Sequence, residues 1–294
     1  MFKIISDSSC DLTKEEINDL DVSYVPFKIT IDGKEFIDDY DFNLNDFLTD
    51  MENTKNPITT SCPSPFDYME EIEKNKDRDI YLVTISSKLS GSFNAAQVAA
   101  KEAKEKYPDI NIGLIDSKSA SAGQTRLVLK LLEYLKENNS FEETMDKITK
   151  YIDSQITMFV LESMQNLIKN GRIKKSAGLI ANVLNIRPIM MSNDGEIELY
   201  EMNRGMKKSL DKLMIAIGKL NKNTENGVLS ISHVNAKERA ESFAQKAREL
   251  YKFKDIVVRQ TNGLSAGYAD IGGIVIAFWG EEWEKIRETI FKIR

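Results

Sequence analysis

One histidine and two cysteines stand in 294 residues. That leaves too few ligands for a His/Cys metal cage and too few thiols for a disulfide framework. A histidine-based triad would have only His233 to use. There is no Gly-x-Ser-x-Gly elbow, no Gly-x-x-x-x-Gly-Lys-Ser/Thr phosphate loop and no Gly-x-Gly-x-x-Gly turn. The longest apolar run, from Ile271 to Trp279, is too short to cross a bilayer. Lys3 and Asp7 interrupt the first apolar stretch before a signal-peptide core develops. The chain therefore reads as cytoplasmic, with no stable membrane anchor but with transient membrane contact left open.

What is present is an ordinary globular mix, 41% hydrophobic and 29% charged, in a chain long enough for two domains. The net charge of −6 is unevenly spread. Residues 1–75 carry 18 acids against 6 bases, and the other residues carry 28 acids against 34 bases. An acidic quarter argues against nucleic acid wrapping the chain. It is a solvated face or a surface that steers a protein partner.

The first half alternates strand and helix signals. Phe2–Ser6, Val22–Ile31, Asp79–Ser86 and Asn111–Asp116 read as extended, with Pro26 favouring an edge. Phe93, Ala96, Ala100, Ala103 and Tyr107 line one helix face, and helical pattern covers 119–138 and 141–153. Strand, helix, strand in this rhythm predicts a parallel-sheet α/β domain over residues 1–155. Beyond it come short strands at Thr157–Leu161, Ile186–Met191 and Ile197–Tyr200, the last two joined by the turn Asn193-Asp-Gly195. Strands Gly227–His233 and Asp255–Gln260 flank a helix that Asn235 caps, with Glu238 completing the box. Its buried stripe is Ala236, Ala240, Phe243, Ala247 and Leu250. Residues 156–294 read as an α+β domain with an antiparallel or mixed sheet and a terminal helix from about 281.

Hydroxyl residues cluster where loops follow strands. The clusters are Ser8-Ser9, Thr59-Thr60-Ser61, Ser86 to Ser92, and Ser117 with Ser119 and Ser121. In open parallel sheets ligands bind beyond the carboxyl ends of the strands. Hydroxyls and free amides at a helix start such as Ser90-Gly91-Ser92 favour an anion, although capping alone accounts for any one cluster. A serine nucleophile would need His233 as its base, and His233 could cap or pack instead. Asp38, Asp39 and Asp41 form either a hard-cation loop or a solvated one. Arg172, Lys174, Lys175, Arg187, Arg204, Lys207 and Lys208 form a basic group, either plain surface or a docking face for an acidic or phosphorylated partner. Cys62, beside Pro63, is a bystander or an oxidisable thiol.

Read together, these segments resemble the DegV family over nearly the whole chain. Asp7-Ser-Ser-Cys-Asp-Leu12 is similar to its Asp-Ser-x-x-Asp-Leu signature, and Thr60-Ser-Cys-Pro63 to its Thr-Ser-Gln-Pro loop. Ser86-Ser-Lys-Leu-Ser-Gly-Ser-Phe93 resembles its Ser-Ser-x-Leu-Ser-Gly-Thr-Tyr segment, and Asp116-Ser117 continues the pattern. Leu161-Glu-Ser163 through Asn170-Gly-Arg-Ile173, then Leu184–Ile189 and Arg204–Lys208, follow in the family's order. The resemblance implies a long-chain fatty acid as ligand, no other cofactor and no metal. It implies a carrier subunit, without turnover of its own, that presents the carboxylate to a fatty acid kinase. It places Thr60 and Ser90, with Ser61, Gly91 and Ser92 around them, at the carboxylate, and Arg172 and Arg204 on the partner-facing side. Residues 156–294 then close over the tail. Where the family carries a histidine near its C-terminus this sequence has Tyr268, a neutral donor that cannot become a cation. The alternatives are an enzyme acting on a small carboxylated or phosphorylated metabolite through Asp7, Ser8 and the basic group, or a regulatory module.

Overall fold

The computed structural model describes residues 1–173, 185–280, 283 and 290. Lys174, Lys175, Leu184 and, apart from Trp283 and Ile290, the helix expected from about 281 lie outside the described residues.

The first half runs β1 (Phe2–Asp7), α1 (Lys14–Asp19), β2 (Val22–Val25), β3 (Lys28–Ile31), β4 (Lys34–Ile37), α2 (Leu44–Asn53) and β5 (Thr59–Ser61). It continues through α3 (Pro65–Lys74), β6 (Asp79–Thr84), α4 (Ser92–Lys106), β7 (Ile112–Asp116), α5 (Ala122–Lys136) and α6 (Phe141–Ser154). The second half runs β8 (Gln155–Val160), α7 (Gln165–Lys169), β9 (Ile189–Asn193), β10 (Glu196–Glu201), α8 (Met206–Leu220) and β11 (Val228–His233). It ends with α9 (Lys237–Leu250), β12 (Asp255–Gln260), α10 (Gly263–Ala269) and β13 (Ile274–Trp279).

The fold is α/β, as the strand–helix rhythm implies. A four-stranded sheet, β2-β1-β6-β7, is parallel throughout. A six-stranded sheet, β10-β9-β8-β13-β11-β12, is mixed: β11 and β12 run parallel and the other pairs antiparallel. The extended stretch expected over Val22–Ile31 divides at Pro26, which has no N–H to give a ladder. β2 ends there as an edge of the parallel sheet, and β3 joins a separate antiparallel sheet, β4-β3-β5.

Helix α5 lies between the two large sheets, touching β1 and β6 on one side and β8, β11 and β13 on the other. Gly123 permits this approach, since a Cβ there would meet Ser119 Oγ at 1.9 Å and Thr157 Oγ1 at 2.4 Å. The expected face of α4 is buried at Ala96, Ala100 and Ala103. Two expectations for α9 fail. Asn235 does not cap it: the N-cap position falls on Ala236, whose N–H donates to His233 Nδ1 at 3.2 Å, and no side chain caps the first turn. Burial lowers the His233 pKa and so keeps that acceptor unprotonated. Leu250 is exposed, and Ala244 completes the buried stripe instead, because the helix ends as its last turn leaves the sheet.

The core that positions the site is shared by both halves. Phe27, Ile29, Phe47 and Ile58, around the small sheet, pack with Phe159, Leu161, Leu264 and Val275 from the second half.

Candidate functional site

Within this shared core lies a cavity of about 840 Å³, counted out to its open mouth. Its walls are mostly apolar, with Phe27, Ile85, Phe159, Leu161, Leu264 and Val275 among them. The loops after β1, β6 and β7 supply Ser9, Ser90, Ser119 and Ser121, so the cavity opens beyond the carboxyl ends of the parallel strands.

One group of hydroxyls gathers beside Arg172. Thr60 lies opposite Ile29 on β5, and its Oγ1 stands 2.9 Å from the Tyr268 hydroxyl of α10. Only one of these two protons is used within the pair, so the other remains available to a ligand. Ser90 Oγ accepts from Ser92 N, at the first residue of α4, at 3.2 Å and keeps its own O–H to give. Arg172 lines the same cavity. Its Nε donates to Leu89 O at 3.2 Å and its Nη1 to Asn170 O at 2.5 Å, and its guanidinium lies 5.7 Å from the Tyr268 ring centre. The arrangement can hold an anion with neutral donors beside one fixed cation, against an apolar chamber.

Behind these loops stand three buried carboxyls. Asp7 accepts from Ile85 N (2.9 Å), Ser92 Oγ (2.7 Å), Gln124 Nε2 (2.8 Å) and Ser9 N (3.3 Å). Asp11 accepts from Ser121 Oγ at 2.5 Å and Asn262 N at 3.1 Å. Asp38 accepts from Gly263 N at 2.8 Å and Leu264 N at 2.9 Å, closing the start of α10. Burial raises the pKa of all three, and their hydrogen bonds pull it partly back. The reading of Asp38 as part of a cation or solvated loop is thereby corrected: it is buried and caps the helix that carries Tyr268, while Asp39 and Asp41 are exposed. Among the described residues no group of three or more His, Cys, Asp or Glu is placed to hold a metal, and no helix is long and apolar enough to cross a membrane.

The model of the DegV family of uncharacterised proteins matches residues 1–279. The chain belongs to the DegV family. A DegV domain-containing protein of Streptococcus pyogenes serotype M1 is 35% identical over 280 residues, 94% of this chain and 99% of that one. Among solved structures, the DegV-family protein of Ruminococcus gnavus refined with vaccenic acid superposes with a TM-score of 0.87 at 35% identity, covering 94% and 98% of the two chains. The Streptococcus pneumoniae Fatty Acid Kinase (Fak) B3 protein, loaded with linoleic acid, does so with a TM-score of 0.87 at 32% identity, covering 96% and 100%.

In this DegV-family chain the residues singled out by sequence fall in four places. Thr60, Ser90, Tyr268 and Arg172 line the cavity together. Ser61 and Gly91 are exposed on its outer side, where a Cβ on Gly91 would meet Cys62 Sγ at 3.4 Å. Ser92 is buried behind the cavity, between Asp7 and the Tyr68 hydroxyl at 2.7 Å. Arg204 is exposed and bridges Ile186, in the second half. Asp7 and Ser8 are fully buried, so they do not meet the exposed Arg204, Lys207 and Lys208. Sequence reasoning named Asp38 but missed its role at the start of α10, since nothing near it in the chain points to that helix.

Asp38 also sets a pH dependence. Its carboxyl is pushed up to about 7. An acid raised by folding contributes stability below its unfolded pKa and loses it as pH rises through the folded value. We expect Asp38→Asn to flatten the fall in stability between about pH 4 and pH 7. Urea midpoints on both sides of that window check this, and a variant with an undiminished fall would contradict it.

Proposed function

We propose that the chain binds one long-chain fatty acid and presents its carboxylate to a fatty acid kinase, with no turnover of its own. The tail occupies the cavity and the carboxylate rests on Thr60, Ser90 and Tyr268. The observation that carries this reading is an apolar chamber ending in the Thr60–Tyr268 hydroxyl pair beside Arg172. A tail of about sixteen carbons offers roughly 0.8 kcal/mol per buried methylene, about 12 kcal/mol gross, before ordering and association costs. The head group then needs only enough donors to leave no buried oxygen unpaired. Ser92 supports Ser90 from behind, Ser61 and Gly91 form the rim, and Arg204 belongs to the face that meets the kinase. The division of labour at residue 155 is part of the same proposal: residues 1–155 supply the loops that bring Thr60 and Ser90 to the head group, and 156–294 add Tyr268 and close over the tail.

Arg172 extends the role its position in the sequence implied. Fixed by two carbonyls and lying by the Tyr268 ring, it offsets negative charge that builds up when a phosphoryl donor approaches the carboxylate. We expect Arg172→Ala to hold a fatty acid within about threefold of the parent while acyl-phosphate formation with a kinase falls by about tenfold or more. Titration of the delipidated chain beside a coupled kinase assay separates the two. Collapse of binding itself would contradict this role for Arg172.

A further inference from the structure

On the far side of α5 from the parallel sheet, a second cleft runs between that helix and strands β11 and β12, the latter at the sheet's edge. Its base is built from Arg126 of α5, Ser230 of β11 and Arg259 of β12. Ser230 lies opposite Val257, and Arg259 opposite Ser232, so the serine and the arginine project from one face on neighbouring strands. Each of the three carries a buried polar atom with no hydrogen-bond partner among the described residues: Arg126 Nε, Ser230 Oγ and Arg259 Nη1. All three side chains are at least nine-tenths buried.

Each guanidinium already has a carboxylate on another edge. Arg126 Nη2 donates to Glu133 at 2.8 Å, and Arg259 grips Glu16 through Nε and Nη2 at 3.2 and 2.6 Å. Buried donors without an acceptor carry a desolvation cost that a native fold rarely leaves standing, and here three of them belong to residues that line one cleft. With Arg126 paired to Glu133 and Arg259 to Glu16, the other charges lining the cleft are Lys136 and Lys254 against Asp255, a balance that still favours an anion. We infer that this cleft is a second binding site, separate from the lipid cavity, for a small oxyanion group, a phosphate or a carboxylate. The two arginines offer their unused edges and Ser230 its hydroxyl, an arrangement suited to a planar or tetrahedral oxyanion. Leu20, Leu129 and Val257 along the walls leave room for an apolar body behind that group.

The test uses the full chain in chloride-free buffer, titrated separately with inorganic phosphate and with acetate, both too small to fill the lipid cavity. The side-chain Nε–H resonance of Arg126 reports occupancy. We expect a saturable shift with at least one probe, and the tighter probe identifies the class of ligand. Ser230→Ala removes a hydroxyl that holds nothing in the fold, and should weaken that binding by about tenfold. Arg259→Gln should weaken it further, and Thr60→Val should leave it unchanged. No saturable shift with either probe would overturn the inference. So would a shift that Ser230→Ala and Arg259→Gln leave unaltered, which marks an adventitious ion only. Because Thr60→Val isolates the lipid cavity, failure here and failure of the fatty acid reading are told apart.

Discussion

Thr60→Val combined with Tyr268→Phe is expected to lower affinity for a long-chain fatty acid by about 2–4 kcal/mol, roughly 30- to 800-fold. The two hydroxyls stand 2.9 Å apart at the cavity's polar end, and each is half-buried. Either single change leaves one hydroxyl free to turn its proton to the ligand, so each alone costs less than half the double loss. The double variant leaves a carboxylate oxygen facing apolar atoms, which is where the penalty lies. The fold should tolerate it, because both replacements keep their shape and remove both partners of one bond. Displacement titration of the delipidated variants reads the result. An unchanged double variant would put the head group elsewhere.

Asp7→Ala is expected to destabilise the fold by about 3–5 kcal/mol, near the upper end for a single substitution. It strands four donors at once: Ser9 N, Ile85 N, Ser92 Oγ and Gln124 Nε2. Ser92 keeps the Tyr68 hydroxyl and Gln124 keeps Ser6 Oγ, so the loss stays below the sum of four orphaned donors. These donors tie β1 to the start of α4 and to α5, and Ser90 rides on that junction. Fatty acid affinity should therefore fall along with the urea midpoint. A loss under about 1 kcal/mol would show that the network does not hold the site.

The parts of this molecule that follow local rules were legible in its sequence. Alternating strands and helices give the parallel sheet, and the Ala96, Ala100, Ala103 spacing gives the buried face of α4. The hydroxyl loops were visible as clusters, because several runs of small hydroxyl residues recur where loops follow strands. Three features depend on distant residues and were not legible. Phe159 and Val275 line the cavity, yet an aliphatic or aromatic residue facing a ligand carries the same pattern as one facing another side chain. Asp38 caps a helix more than two hundred residues away, and nothing beside it in sequence announces that. Asn235 does not cap α9, since it sits in a tight turn with φ at 44° that moves the N-cap position to Ala236, whose N–H donates to the His233 ring. Pro26 did mark a break, but which sheet β3 would join was decided by its pairing with Thr59–Ser61.

The central claim is that an acyl chain lies in the core with its carboxylate on Thr60, Ser90 and Tyr268. Solvent extraction of the purified protein followed by mass spectrometry tests it most directly. The account predicts about one long-chain fatty acid per chain, and its near absence from the Thr60→Val, Tyr268→Phe double variant prepared in parallel. Parent protein that yields no stoichiometric fatty acid, and takes none up when it is offered, would contradict it.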